Sequence, residues 1–179
     1  MAEIAKLPDG TEAQVLAESN GFQVLQADQQ VYVVDRGWGW VSTASFVFGL
    51  VAFLFTVAPI VLAVVLGKPL LGAGVLLGAL AIGALLGIRK ARDKQRSQPV
   101  GARSVLLVID LGASTVRELG GQRICALPEL SIGRAMQLAS SSRALRATWP
   151  GGRRVIARGT PFGGDVGPIE ATLRRFVTR

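Results

Sequence analysis

The stretch SVLLVIDLGASTVREL, residues 104–119, decides how the C-terminal part of the chain folds. Its opening segment, SVLLVI, is almost continuously apolar, which predicts a strand that is buried on both faces. Asp110 then ends the strand and Gly112 lies in a turn, because aspartate and glycine both favour turn conformations. The segment STVREL follows as a second strand. The sequence therefore predicts a β-rich body built around this stretch.

The turn at Asp110 and Gly112 also resembles the first phosphate-binding hairpin of actin-like ATPases and sugar kinases. Those enzymes need two large subdomains and a second glycine-rich hairpin, whereas only about 75 residues follow Ser104. The sequence FGGDVG has its glycines in the wrong order around the aspartate, and neither a Walker motif nor a dinucleotide fingerprint is present. We therefore expect no nucleotide among the cofactors or partners.

Further strands are predicted on both sides of a central apolar region. The segments AQVLAE, FQVLQA and VYVVD lie within residues 1–37, and QRICAL, ALRATW and RRVIAR lie in the C-terminal part. All are short, and they are β-branched or alternating. The tripeptide Pro-Gly-Gly at 150–152 predicts a tight hairpin. In the strand before it, Leu145, Ala147 and Trp149 should face the same side.

Two helices are predicted in the C-terminal part. Residues 127–141 predict a short helix, although Gly133 lowers its propensity. Pro168 suits the first turn of a final helix, and Glu170 lies near the positive end of that helix dipole. We expect this amphipathic helix to pack on the β-rich body, and attachment to a membrane surface is the alternative. Its apolar residues at helical spacing are Ile169, Leu173 and Phe176.

The two parts of the predicted body carry opposite charges. Residues 1–36 contain six acidic and two basic side chains, whereas residues 89–179 contain 17 basic and six acidic ones. The whole chain has a formal charge of +8 at pH 7. Opposite charges favour association of the two parts into one domain.

Two uninterrupted apolar runs, 41–66 and 70–88, contain no ionisable residue. About 20 helical residues cross a hydrocarbon layer of about 30 Å, and only the tripeptide Gly-Lys-Pro separates the runs. The sequence therefore predicts a transmembrane helical hairpin at 38–88. A basic juxtamembrane linker at 89–103 and the rest of a cytoplasmic domain at 104–179 should follow it.

A basic cluster after the second run predicts the orientation. Basic residues beside membrane spans are retained in the cytoplasm, so we expect a multi-pass protein of the bacterial plasma membrane with both termini cytoplasmic. The N-terminus lacks a signal-peptide pattern, which makes the first run an uncleaved anchor. Attraction to anionic lipid headgroups is an alternative role for the cluster. Its members are Arg89, Lys90, Arg92, Lys94 and Arg96.

Small residues in the second run predict close contacts between helices. One face would pack on the first run, and the opposite face would accept a helix of another integral membrane protein. The alternative is that alanine and glycine are simply common in this chain. The candidate residues are Gly72, Gly74, Gly78, Ala79, Gly83 and Gly87.

The chain lacks the residues that most catalytic and metal sites require. It contains no histidine, and its single cysteine, Cys125, lies in the apolar run RICAL as a small buried hydrophobe. Acidic residues are scattered, which indicates neither a paired-carboxylate site nor a magnesium site. The arginines lack the interleaved aromatic residues that nucleic-acid binding favours. We therefore expect no catalytic residue, no cofactor, no metal ion and no nucleic-acid partner.

The segment RALRATWPGGRRVIARGTPFGGDVGPIEATLRRF, residues 143–176, resembles the hairpin, loop and closing helix of bacterial pleckstrin-homology-like (PH-like) domains. The whole layout resembles small two-span actinobacterial membrane proteins, including accessory subunits of the lipid-uptake-coordinator type in mycobacterial MCE lipid importers. The resemblance implies an α+β membrane protein. In it, a two-helix transmembrane hairpin interrupts a small, mostly-β, PH-like sandwich or barrel that ends in an amphipathic helix.

Two functions are consistent with these patterns. The leading hypothesis is a non-enzymatic integral membrane accessory subunit that assembles, stabilises or regulates a larger membrane complex, such as a lipid transporter. The alternative is a membrane-anchored PH-like module that binds anionic lipid headgroups. Both hypotheses make the lipid bilayer a partner, and the first adds other integral membrane subunits.

Overall fold

The computed structural model describes residues 3–37, 39–66, 71–96, 98–137, 140–160 and 165–177. The chain divides into two compact units. One unit, Met1–Gly39 together with Arg96–Arg179, is called here the β domain, and the other, Trp40–Gln95, is called the helical unit.

The β domain contains a seven-stranded antiparallel sheet in which each strand pairs with the next one along the chain. A three-stranded antiparallel sheet follows, with β9 in the middle. The strands of the first sheet are β1 (Ile4–Lys6), β2 (Glu12–Ser19), β3 (Phe22–Ala27), β4 (Gln30–Asp35), β5 (Val105–Asp110), β6 (Thr115–Arg117) and β7 (Arg123–Ala126). Those of the second are β8 (Ser131–Gln137), β9 (Ser140–Trp149) and β10 (Gly152–Arg158).

The α-helices in the described part of the chain are α1 (Gly39–Leu66), α2 (Leu71–Arg96) and α3 (Gly167–Val177). The helical unit is built from α1 and α2, and α3 closes the β domain. Two 3-10 turns, Ala102–Ser104 and Leu127–Glu129, lie between strands of the β domain.

Strands β4 and β5 are neighbours in the sheet, although the helical unit separates them in sequence. Val31 lies opposite Ile109 in this antiparallel pair. Just beyond the strands, the guanidinium of Arg36 donates a hydrogen bond of 2.9 Å to the carbonyl oxygen of Gln98. The segments before and after the helical unit therefore belong to one sheet, which their opposite charges favour.

Two apolar cores accompany the seven-stranded sheet. Leu107 and Ile109 belong to the larger core, which also contains Leu145 of the second sheet. Val108 belongs to the smaller core together with Leu7, which follows β1. Successive residues of a strand point to opposite faces, so β5 is buried on both faces, as its continuous apolar run predicts.

The β9–β10 hairpin and the final helix agree with the sequence patterns. Leu145 and Ala147 are fully buried, and Trp149 packs against the same core. In α3, Ile169 and Leu173 are fully buried in that core as well. The amphipathic helix therefore packs on the β domain.

The short helix predicted for residues 127–141 is wrong. Ser131–Gln137 forms β8, which pairs with β9 along its length and places Ile132 opposite Ala147. Ile132 is buried while its neighbour Ser131 is exposed, which is the alternation of a strand. Pairing with the next strand, β9, therefore overrides the weak local preference for a helix. Residues 138 and 139 lie outside the described residues.

The transmembrane hairpin predicted for residues 41–66 and 70–88 is wrong, and so is the fold class of an α+β membrane protein. Within the described ranges, no helix combines the length and the apolar character that a membrane crossing requires. In α2 the apolar run also does not end the helix, which continues through the charged residues Arg89 and Lys90 to Arg96. The structure instead shows a small, mostly-β domain and three helices in the part of the chain that it describes.

The predicted localisation, a multi-pass protein of the bacterial plasma membrane with both termini cytoplasmic, is wrong for the same reason. The orientation argument depended on two crossings, and no described helix provides one. Residues 89–96, which were assigned to a linker, form the end of α2. The predicted tight turn between the two runs lies outside the described residues, which exclude 67–70.

Candidate functional site

One predicted helix-packing residue, Gly78, lies where α2 closely approaches α1. A methyl group at Gly78 would clash with Thr56 Oγ1 and would lie 3.4 Å from Thr56 Cβ. Gly78 is buried, and so is Ala81 one turn further along. A glycine therefore allows the close contact between the two helices at this point. Gly72 and Gly74 lie in the first turns of α2, and their surroundings are outside the described part of the structure.

The other small residues of α2 lie on a side that α1 does not cover. Ala79, Gly83 and Gly87 are exposed. A methyl group at Gly83 or Gly87 would meet no atom of the chain within 4 Å. This side of α2, which we call the small-residue face, is therefore accessible to another helix.

Large apolar side chains surround the small-residue face and continue over α1. Phe53 is 59% exposed, Val65 is 73% exposed and Leu80 is 63% exposed. All four phenylalanines of α1 are at least 37% exposed. So many large apolar side chains exposed on two neighbouring helices indicate a site of interaction rather than an ordinary protein surface.

The basic cluster lies at the C-terminal end of α2. Arg89, Lys90 and Lys94 are exposed, and the side chains of Arg92 and Arg96 lie outside the described residues. Lys94 lies in the last turn of α2, where a cation interacts favourably with the helix dipole. Binding of lipid headgroups by these residues stays a prediction.

Groups that could carry catalysis are sparse in the described residues. They contain no cluster of three or more histidine, cysteine, aspartate or glutamate side chains that could hold a metal ion. Cys125 is buried, and burial, together with the nearby Glu129 carboxylate, raises the pKa of its thiol. A thiol with a raised pKa is a poor nucleophile at neutral pH.

A cleft of about 500 Å³ lies beside β5, and sequence analysis did not identify it. Its floor comes from residues on one face of the β4–β5 pair, where Gln30 lies opposite Asp110 and Tyr32 lies opposite Val108. Arg117 of β6 lies beside Val108 and completes the floor. We call this concavity the β5 cleft. Val108 and Asp110, which belong to the stretch SVLLVIDLGASTVREL, contribute to its floor.

Two turns form the walls of the β5 cleft. The first, between β1 and β2, contains Leu7 and Asp9, and the Thr11 amide donates a 2.9 Å hydrogen bond to Asp9 Oδ1. That hydrogen bond lowers the pKa of the Asp9 carboxyl. The second turn, between β6 and β7, contains Glu118 and Leu119 and is closed by backbone hydrogen bonds at Glu118.

Asp110 is held in place at the end of β5. Its Oδ1 accepts a 2.8 Å hydrogen bond from the Ala113 amide, which closes the turn after the strand. Its Oδ2 lies 3.5 Å from Arg117 Nη2. Arg117 Nε also donates to Thr115 Oγ1 at 3.3 Å. The Arg117 guanidinium is therefore positioned by two neighbours within the β domain.

Tyr32 lies in the floor with a perturbed hydroxyl group. Burial raises the pKa of Tyr32, and the carboxylates of Asp9, Asp110 and Asp28 raise it further. The hydroxyl donates a 2.5 Å hydrogen bond to Gln30 Oε1. Burial is the largest cause of the shift, and the three carboxylates add to it because a nearby negative charge disfavours the phenolate.

The alternation of β5 was the only local signal for the cleft, since it places Val108 and Asp110 on one face. The rest of the cleft depends on the pairing of β5 with β4, which no local sequence pattern specifies.

No protein-family model, no curated protein and no solved structure matches this chain. The resemblances to PH-like domains and to accessory subunits of lipid importers therefore stay predictions.

Proposed function

We propose that this protein is a non-enzymatic accessory subunit that joins a larger protein complex through its helical unit. The observation that carries the proposal is the exposed apolar surface of α1 and α2, with Phe53, Val65 and Leu80 each more than half exposed. The partner surface would be apolar and helical, and it would pack against the small-residue face.

Hydrophobic burial supports this proposal energetically. Each Å² of apolar surface removed from water contributes about 25 cal/mol. Binding of a partner that covers this surface would remove many large apolar side chains from water, and each would add to the free energy of binding. In the isolated chain the same side chains stay in contact with solvent. Because Gly83 and Gly87 have no side chain, a second helix could pack on this face with its axis close to the lower limit of the usual interaxial distance of about 8–10 Å.

The non-enzymatic part of the proposal is supported by the residue content. The sequence has no histidine, and the buried Cys125 has a raised pKa. The described carboxylates of the β5 cleft are engaged in turns or ion pairs, as Asp110 is with Ala113 and Arg117. An assembly role needs none of these groups to react.

Site-specific photo-cross-linking in the full chain tests the proposal. A photoreactive residue at Leu86, which is exposed on α2, should cross-link to an apolar helix of a partner protein in cells. Met136 on β8 is 93% exposed and provides the matched control position, which should not capture the same peptide. Equal capture at both positions, or cross-links from Leu86 to lipid or detergent alone, would contradict the proposal.

The double variant Gly83→Leu with Gly87→Leu gives a second test. Leucine has a helix propensity about 1 kcal/mol better than glycine, so the substitutions should not unfold α2. They should nevertheless block close approach and abolish the cross-link from Leu86. The control Ala171→Leu adds a similar side chain at an exposed position of α3 and should leave the cross-link intact.

A further inference from the structure

We propose that the β5 cleft binds an organic cation, namely an ammonium or guanidinium group carried on a short apolar stem. All the lining residues of the cleft belong to the β domain. The proposal is independent of the assembly role of the helical unit, so each can fail without the other.

The shape of the cleft suits a small ligand. Its volume of about 500 Å³ falls within the about 300–1,000 Å³ typical of ligand pockets. Leu119 in one wall is 38% exposed and supplies accessible apolar surface, and Leu7 and Val108 also line the cleft but are buried. A hydrocarbon stem of a few carbons would be removed from water against these side chains. The apolar lining therefore selects a ligand with an aliphatic part.

The charges of the lining select a cation. Asp9, Asp110 and Glu118 approach from three different segments of the β domain, and Arg117 is the one cationic side chain among the lining residues that the structure describes. Arg154, from outside the lining, also lies 3.4 Å from Glu118 and compensates part of that charge. The balance remains negative, which favours an ammonium or guanidinium group and disfavours a carboxylate or phosphate.

The aromatic ring in the floor adds to the preference for a cation. Tyr32 lies between β5 and the turn that carries Asp9, and aromatic faces attract cations through their quadrupole. Burial is the main cause of the raised pKa of Tyr32, and the nearby carboxylates raise it further because they disfavour the phenolate. Its hydroxyl is directed to Gln30, so the ring and not the hydroxyl hydrogen is offered to a ligand.

Three probes with one alkyl chain test the proposal on the unaltered full chain. Pentylamine, pentanol and pentanoate differ in charge and share the same apolar stem. In amide-resolved NMR titrations, pentylamine should perturb Leu7, Asp110 and Leu119, pentanol should bind about fivefold more weakly, and pentanoate should not perturb these residues. Equal binding of pentanoate and pentylamine, or shifts that avoid the cleft, would overturn the proposal.

A blocked peptide, Ala-Lys-Ala, separates two sources of the cation. Tighter binding of this peptide than of pentylamine assigns the cleft to a lysine side chain of a partner protein, and weaker binding assigns it to a free amine. Either result requires perturbation of the same cleft residues. A peptide and an amine that both leave those residues unperturbed refute the proposal without any variant.

The variant Asp110→Asn links binding to a named carboxylate. The amide oxygen of asparagine can still accept the Ala113 hydrogen bond, so the turn should be retained. Affinity for pentylamine should fall about fivefold. The control Asp93→Asn removes one charge from an exposed position of α2 and should leave affinity unchanged. Equal losses in the two variants would show a nonspecific charge effect and would overturn the proposal.

Discussion

Glu170 anchors the final helix to the second sheet, and its removal gives a stability prediction. The side chain is only 11% exposed and lies in the first turn of α3. Its Oε2 accepts a 2.5 Å hydrogen bond from Arg134 Nε of β8, and its Oε1 lies 3.0 Å from Arg174 Nη2. We expect Glu170→Ala to lower the free energy of unfolding of the β domain.

The magnitude follows from the exposure of the partners. A hydrogen bond to a charged group contributes about 1.5–3 kcal/mol, but the Arg134 side chain is 39% exposed, so solvent screening places the contribution near the lower limit. The pair with Arg174 is an i,i+4 surface pair worth about 0.3–0.5 kcal/mol. Loss of a carboxylate from the helix N-terminus adds about 0.3–1 kcal/mol. The expected loss is therefore about 2–3 kcal/mol.

Urea unfolding followed by tryptophan fluorescence measures this loss. Trp149 packs on the larger core and reports on the β domain. Replacing Trp38 and Trp40 by phenylalanine makes it the single tryptophan, since the sequence contains three. Arg174→Ala removes the exposed i,i+4 pair with Glu170 and should cost less than the loss of Glu170 itself.

A double-mutant cycle with Arg134→Ala gives the decisive result. If Glu170 acts through Arg134, the two losses should be non-additive, with a coupling energy of about 1 kcal/mol or more. Additive losses would refute the assigned pairing. A loss below about 0.5 kcal/mol for Glu170→Ala alone would place the contact among exposed pairs of little consequence.

Three further predictions concern the cleft, the helical contact and the core. Tyr32 is the single tyrosine, so absorbance at 295 nm reports its ionisation. Its pKa should lie above that of an exposed tyrosine, and Asp110→Asn should lower this pKa because it removes one of the nearby carboxylates. Because the pKa of Tyr32 is higher in the folded than in the unfolded protein, the neutral phenol contributes stability that is fully present below the unfolded-state pKa and is lost as pH rises through the folded-state pKa. Denaturant titrations that show no such loss of stability would contradict the prediction for Tyr32. Thr56→Val removes a buried hydroxyl that has no hydrogen-bond partner in the described structure, so it should stabilise the helical contact by about 1 kcal/mol. The melting temperature, followed by circular dichroism at 222 nm, should rise. A lower melting temperature would contradict this prediction. Leu145→Ala should destabilise the β domain by about 2–5 kcal/mol in urea, and a loss below 1 kcal/mol would be inconsistent with its complete burial.

Local sequence patterns identified most strands because their alternation or continuous apolar character is itself local. Strand β5 is buried on both faces, as predicted from SVLLVI, and α3 buries Ile169 and Leu173, as predicted from their spacing. Strand β8 was predicted as a helix although the strand that stabilises it, β9, begins only three residues later. Propensity is a weak guide where cross-strand pairing decides the outcome.

The helices and the cleft show two different limits of sequence reasoning. Apolar runs correctly indicated helices at α1 and α2 but not what surrounds them, and the membrane crossings inferred from them were wrong. The β5 cleft requires Gln30 to lie opposite Asp110, and that register spans the whole inserted helical unit. Such a site cannot be recognised until the pairing of β4 with β5 is known.

Because β4 and β5 are neighbours in the sheet, the helical unit inserted between them can be exchanged for another segment without changing the order of the strands. The chain leaves the sheet after β4 and returns beside it, with Arg36 bonded to Gln98 across the two connecting segments. A short turn of two to five residues, of the kind that joins ordinary antiparallel neighbours, could therefore replace Trp40–Gln95. During synthesis, by contrast, the whole of Trp40–Gln95 is made after β4 and before β5. The edge of β4 that later pairs with β5 is therefore unpaired in the nascent chain, where it is most exposed to wrong pairing.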